Sequence, residues 1–240
     1  MLVTRPQPDA SQTAARLAAL DIRSAICPLL TQKTLPTGLP DRRGFAAMAL
    51  TSGNALRALE ERGALAAYRD LPVYTVGHRT AERARDMGFA HVTSAGGSFA
   101  DLVELLAGST LGGPIFYPVG REQSGDLARS LAPFGMMVIV TPVYDMLPVE
   151  ALPDEIVAEL EDGSIDAVLL YSRRTAEIFG QLARQQLSRM ARLELGILCL
   201  SENVAEPLVS AHFVRIGLAD YPSEEAMMAL ALSFSRDQTT

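Results

Sequence analysis

Short apolar runs rich in β-branched and aromatic residues alternate along the whole chain with longer segments whose apolar positions recur at helical spacing. The spacing predicts a strand over residues 2–5, a turn through Pro6 and Pro8, a helix over 10–20 and a strand over 24–30. Residues 31–43 are polar and rich in Pro and Gly, which reads as a linker or edge segment. A strand over 45–51 and a helix over 55–62 lead to the most sharply patterned unit. In it, a strand over 73–76 ends at Gly77, turns through His78 and Arg79, and enters a helix from Thr80 that closes at Gly88.

The alternation continues with a strand over 90–93 and a helix over 99–106, where Ser98 and Asp101 make a capping box. A strand over 115–119, a helix over 125–131 and a strand over 136–143 follow, then a second connecting segment over 144–153. The remainder predicts helices over 154–160, 175–185 and 224–234 with strands over 167–171, 197–200 and 213–216. Strands and helices in turn are the signature of parallel α/β layers.

The pattern also repeats. LVTRPQ and the strand after it match FYPVGR and its following strand; ALTSGNALRAL matches LYSRRTAEIF; the unit from Val73 matches the segment from Gly196; GSFADLVELL matches PSEEAMMALAL. Four matches in one order argue for a chain built twice, each half supplying about five strands, enough for one flavodoxin-like sheet. Both second strands run into long Pro-containing segments, so the halves are either two contiguous domains or two that exchange their first strands. Two lobes joined by two connectors would place a ligand cleft at the strand ends.

With 240 residues, 48% of them hydrophobic, the chain can bury one large core or two ordinary ones. No apolar run approaches the length that crosses a bilayer and no basic-then-apolar leader opens the chain, so it reads as cytoplasmic with no membrane role. A net charge of −7 argues against a nucleic-acid partner. Cys27 and Cys199 sit in apolar runs as core residues, and His78, His91 and His212 lack ligand spacing, so no metal site is expected. Lys33 is the only lysine; the many arginines suit recognition of carboxylates or phosphates by a planar fork, or simply reflect codon bias.

Dinucleotide, P-loop, hydrolase-elbow and zincin motifs are missing. What remains is a set of loops at strand ends: Arg5; Ser52, Gly53 and Asn54; Gly77, His78, Arg79 and Thr80; Gly120 and Arg121; Ser172, Arg173 and Arg174; Ser201 and Asn203. Ser52, Asn54, Thr80 and Ser172 can serve as plain helix caps. Taken together, the helix starts and arginines suit a polycarboxylate, each helix N-terminus stabilising an anion by about 0.3–1 kcal/mol. Tyr144 replaces Leu30 of the first copy where the chain leaves a lobe, and a phenol there can donate a proton to a leaving group or merely pack a connector.

The LVTRP opening, the TSGNAL turn, VGHRTA with Gly88, the Gly120 loop, VTPVYD and YSRRTAEIF, at these spacings over essentially the whole chain, resemble the uroporphyrinogen-III synthase family. The resemblance implies an α/β protein with two flavodoxin-like parallel-sheet lobes joined by a two-stranded connector. The first lobe would be discontinuous (1–33 plus 150–240), the second would be 41–143, and 34–40 and 144–149 would connect them. It also implies a monomer without metal or cofactor that cyclises hydroxymethylbilane to uroporphyrinogen III, inverting ring D and losing water, with transient hand-over from hydroxymethylbilane synthase.

By position, Tyr144 matches the family's connector tyrosine, the candidate for assisting hydroxyl departure; Thr80 matches the threonine of the strand-turn-helix unit, and Ser52 and Ser172 the paired serine turns. The second copy departs from the family at Ser201, where a glycine is expected, and at Val204, where a threonine is expected. The competing readings are a non-catalytic two-lobe binder or sensor of small anions and, more remotely, a small two-lobe glycosyltransferase, which would bind nucleotide sugars.

Overall fold

The computed structural model describes residues 1–123 and 125–237. The chain divides into two compact units, one made of Met1–Thr31 with the chain from Leu147 onward, the other of Gln32–Met146. The first unit starts with β1 (Leu2–Val3), α1 (Asp9–Ala18) and β2 (Ala25–Ile26), and β3 (Leu30–Thr34) then carries the chain into the second.

The second unit continues through β4 (Ala47–Leu50), α2 (Gly53–Glu61), α3 (Leu65–Tyr68), β5 (Val73–Thr75), α4 (His78–Asp86), β6 (Val92–Ser94) and α5 (Phe99–Ala107). It closes with β7 (Ile115–Gly120), α6 (Leu127–Leu131), a 3-10 turn (Ala132–Phe134) and β8 (Val138–Pro148). Back in the first unit come α7 (Asp154–Glu161), β9 (Ala167–Leu170), α8 (Arg173–Gln186), α9 (Arg189–Glu194), β10 (Gly196–Cys199), α10 (Glu202–Ser210), β11 (Arg215–Leu218) and α11 (Glu224–Asp237).

The first unit's sheet has the order β2-β1-β9-β10-β11 and the second unit's β3-β8-β7-β4-β5-β6. Apart from β3, the strands matched in the sequence repeat occupy equivalent places in the two sheets, and each reads as the doubly wound order 2-1-3-4-5. The pairings of β1, β2, β9, β10 and β11 with one another, and of β4 through β8, are parallel.

The central strands β4, β7, β9 and β10 are buried along their whole length, as strands covered by helices on both faces must be. Alternate residues serve opposite faces: Leu2, Val168 and Ile197 pack on one side of the first sheet, Val3, Leu169 and Leu198 on the other. In the second sheet Met48, Leu50 and Phe116 pack against α2, while Ala49, Tyr117 and Val119 face the helices that include α5. The capping box at Ser98 is formed, its hydroxyl accepting from the N–H of Asp101 while the Asp101 carboxylate accepts from the N–H of Ser98.

Several segments differ from expectation. The strand expected over 24–30 is two strands, β2 in the first sheet and β3 in the second, and the segment read as a linker from 31 begins inside β3. Only Leu30 of β3 is buried, so an edge strand with polar side chains looks like a linker in sequence. β8 likewise runs through Tyr144 to Pro148 instead of ending at 143, and Leu35 N–H donates to Val143 O across this edge at 2.9 Å. Helices α4 and α8 begin two residues early, because Gly77 and Ser172 are the extended capping residues and His78, Arg79, Arg173 and Arg174 already lie in first turns. The short helices α3 and α9 were not expected.

Candidate functional site

In the second unit the candidate residues gather where β4, β5, β7 and β8 end. Ser52 leaves β4 extended and caps α2, its hydroxyl accepting the Asn54 N–H at 3.2 Å. The same hydroxyl lies close enough to the Tyr144 phenol to act on its pKa. Tyr144 is 9% exposed and stands beside Gly120, the two residues facing across β7 and β8 at a register shift between Val119 and Gly120. The Arg121 N–H donates to Tyr144 O at 2.9 Å, and the Arg121 guanidinium pairs with buried Asp145 at 3.2 Å.

Beside this group lies a residue the sequence reading passed over. Tyr117, 2% exposed, donates to the Thr51 hydroxyl at 3.3 Å. Burial raises the pKa of both phenols above the ordinary tyrosine value, with the Thr51 hydrogen bond at Tyr117 and the nearby Ser52 hydroxyl at Tyr144 pulling the other way. Both therefore remain protonated donors at neutral pH. Tyr117 stands inside the FYPVGR string and Asp145 inside VTPVYD, so both motifs were in view without being read as site residues.

Arg83 was missed as well. Its side chain crosses the start of α2, its Cδ lying 2.9 Å from where a Cβ on Gly53 would stand, so a larger residue there would have to displace the arginine. A guanidinium and the open N–H groups of a helix start are thus adjacent, an arrangement that suits a carboxylate. Asn54 donates to Met146 Sδ at 3.6 Å, and its carbonyl accepts from Gln32 Nε2 at 3.1 Å. Gly77 caps α4 without a side chain, leaving His78 and Arg79 exposed and Thr80 half-buried in the first turn; Thr80 is therefore not the cap.

In the first unit the equivalent strand ends are occupied differently. Arg5 pairs with Asp9 at 2.9 Å and with Glu224, donates to Thr13 at 3.1 Å and lies over the Tyr171 ring at 4.2 Å. Ser172 caps α8 by accepting the Thr175 N–H at 3.2 Å. Arg173 pairs with Glu177 within α8 at 3.0 Å and ties α8 to α10 through Asn203 at 3.1 Å and Glu206. Arg174 follows it in the first turn, and Ser201 caps α10 with no side-chain bond. Val204 is buried in the core of this unit, which accounts for an apolar residue at that position.

Among the described residues no group of three or more His, Cys, Asp or Glu is placed to hold a metal ion, and no helix is long and apolar enough to cross a membrane. The first unit therefore offers mostly internally paired charges, and the second brings a buried phenol, a serine hydroxyl and arginines to one end of its sheet.

Comparison with known proteins gives a consistent picture. The family described as "HEM4: Uroporphyrinogen-III synthase HemD" matches residues 11–229. The crystal structure of uroporphyrinogen-III synthetase from Helicobacter pylori 26695 is similar over 97% of this chain and 98% of that one, with 20% identity and a TM-score of 0.67. A mutant uroporphyrinogen III synthase from the extremely thermophilic bacterium Thermus thermophilus is similar over 99% and 98%, with 16% identity and a TM-score of 0.53. No curated protein matches. These identities speak to the fold, and the family match, spanning most of the chain, speaks to descent: the chain belongs to the uroporphyrinogen-III synthase family.

Proposed function

We propose that this protein closes hydroxymethylbilane to uroporphyrinogen III with inversion of ring D and loss of water, and that Tyr144 supplies the proton for the departing hydroxyl. Family membership supports the reaction and disfavours the non-catalytic binder. The observation that carries the residue assignment is a phenol held protonated by burial, beside the Ser52 turn, at the C-terminal end of a parallel sheet.

The bilane is itself reactive. Transfer of the Tyr144 proton to the hydroxyl breaks the C–O bond and releases water, leaving an electrophilic azafulvene carbon. Ring D attacks that carbon through its substituted position to give a spiro intermediate, which reopens and recloses with the ring inverted. The proton lost as the pyrrole regains aromaticity returns to the phenolate. The protein's larger task is orientation, holding the bilane so that direct end-to-end closure is not reached.

Arginines and helix starts suit the eight substrate carboxylates, with Arg79, Arg83 and Arg121 the arginines to which we assign contacts and Thr80 a second hydroxyl near the reacting end. The protein acts as a monomer on bilane received from its synthase.

The test generates hydroxymethylbilane in situ, oxidises the products and separates type I from type III uroporphyrin. A dominant type III peak that depends on the protein is expected, and type I alone would overturn the reading. Tyr144→Phe is expected to lower turnover by about 100-fold, the range of a positioned acid, with the unfolding midpoint unchanged. The Michaelis constant should rise with ionic strength as salt screens the carboxylate contacts, and a flat response would count against the arginine assignment.

A further inference from the structure

We propose that Gly120 is a positioning residue for this reaction: the space where its side chain would stand is the seat of the Tyr144 ring, and that seat fixes where the phenol hydroxyl points. A Cβ on Gly120 would lie 2.9 Å from Cζ, 3.0 Å from Cε2 and 3.1 Å from the hydroxyl oxygen of Tyr144. Carbon atoms in contact rest about 3.5–4.0 Å apart, so even a methyl group would push the phenol end aside by about 0.5–1 Å.

The backbone conformation does not demand glycine here: Gly120 is not among the positive-φ residues, and it is buried at the end of β7, where the register with β8 shifts and brings Tyr144 opposite it. The ring has little freedom to retreat, because Tyr144 is buried in the core of this unit and its carbonyl is held by the Arg121 N–H. The Gly120 side therefore sets the direction of the phenol, with the Ser52 hydroxyl near its other end.

The inference rests on the proposed role of Tyr144, and the experiment separates the two. Turnover and the fraction of type III product are measured for Gly120→Ala, Tyr144→Phe and the double variant, with unfolding midpoints for each. Gly120→Ala is expected to lower turnover by about 10- to 100-fold, as a displacement near 1 Å does. In the Tyr144→Phe background it should change turnover little, because no hydroxyl remains to be misdirected, while its effect on the midpoint persists.

If Tyr144→Phe is near wild type, the acid assignment fails and takes this inference with it. If Tyr144→Phe is slow and Gly120→Ala is near wild type, or if Gly120→Ala costs the same factor in both backgrounds, Gly120 has no positioning role. Should Gly120→Ala not fold, the wild-type protein still decides the matter. With 3-fluorotyrosine incorporated and the Tyr144 resonance assigned by its loss in Tyr144→Phe, a seated ring gives a shifted signal, broadened or doubled by slow flipping. One sharp line at the free tyrosine position would overturn the proposal.

Discussion

Glu224 is the acceptor on which Arg5, Thr13 and Tyr171 converge, with both members of the Arg5–Glu224 pair about one-fifth exposed. Removing the arginine would leave a half-buried carboxylate with one charged donor fewer, so Arg5→Met is expected to destabilise by about 2 kcal/mol in urea unfolding. It should change the Michaelis constant less than Arg121→Met does. In sequence Arg5 looked like the other strand-end arginines, because Glu224, on which its group converges, lies at the far end of the chain. Tyr144 was legible through its motif, whereas the Gly120 seat depends on a register shift between two strands.

Cys199 is fully buried and its thiol is pushed up to about 12 by desolvation. Between pH 9 and 12 the unfolded chain has lost this proton and the folded chain retains it, so stability falls as pH rises through that window. Cys199→Ala should flatten the loss between pH 9 and 10, before tyrosines in the unfolded chain ionise.

At the scale of elements, the helices separate into those closed by side chains and those closed by glycine or left strained. Ser98→Ala removes half of the α5 capping box and should cost about 1 kcal/mol. Helix α10 carries Pro207 in its interior, so the Asn203 carbonyl lacks the usual helical donor. Pro207→Ala is accordingly expected to stabilise the fold, by up to about 3 kcal/mol; an unchanged unfolding midpoint would show that the missing donor at the Asn203 carbonyl costs nothing. The same comparison explains what the pattern revealed. Central strands such as β4 and β9 read plainly because both faces are buried and their sequences are unbroken apolar runs. The strand β3, with Thr31, Gln32 and Lys33 after Leu30, follows the rules of an exposed edge, and α3 and α9 are too short for helical periodicity to register.

For the molecule as a whole, the second unit is one continuous stretch with both faces of its sheet covered, whereas the first needs the start of the chain for β1 and β2. A fragment of residues 32–146 should fold cooperatively alone. A fragment from Leu147 onward should not, since Leu2, Val3, Leu17 and Leu29 are missing from its two cores, and adding a peptide of residues 1–31 should restore folding. Independent folding of the second fragment without the peptide would count against this division of stability. The doubling of the fold was visible in sequence because the four matched strings keep their order, and the two sheets repeat that order in space. The position of β1 between β2 and β9 also has a consequence for biosynthesis. Its partner Val168 is made long after Leu2 leaves the ribosome, a delay on the order of 10 s at elongation rates of about 5–20 residues per second. During that interval the inserted unit can complete its own sheet while the nascent β1 and β2 wait without their inner neighbour. That places the period of greatest dependence on chaperones before Ala167 emerges.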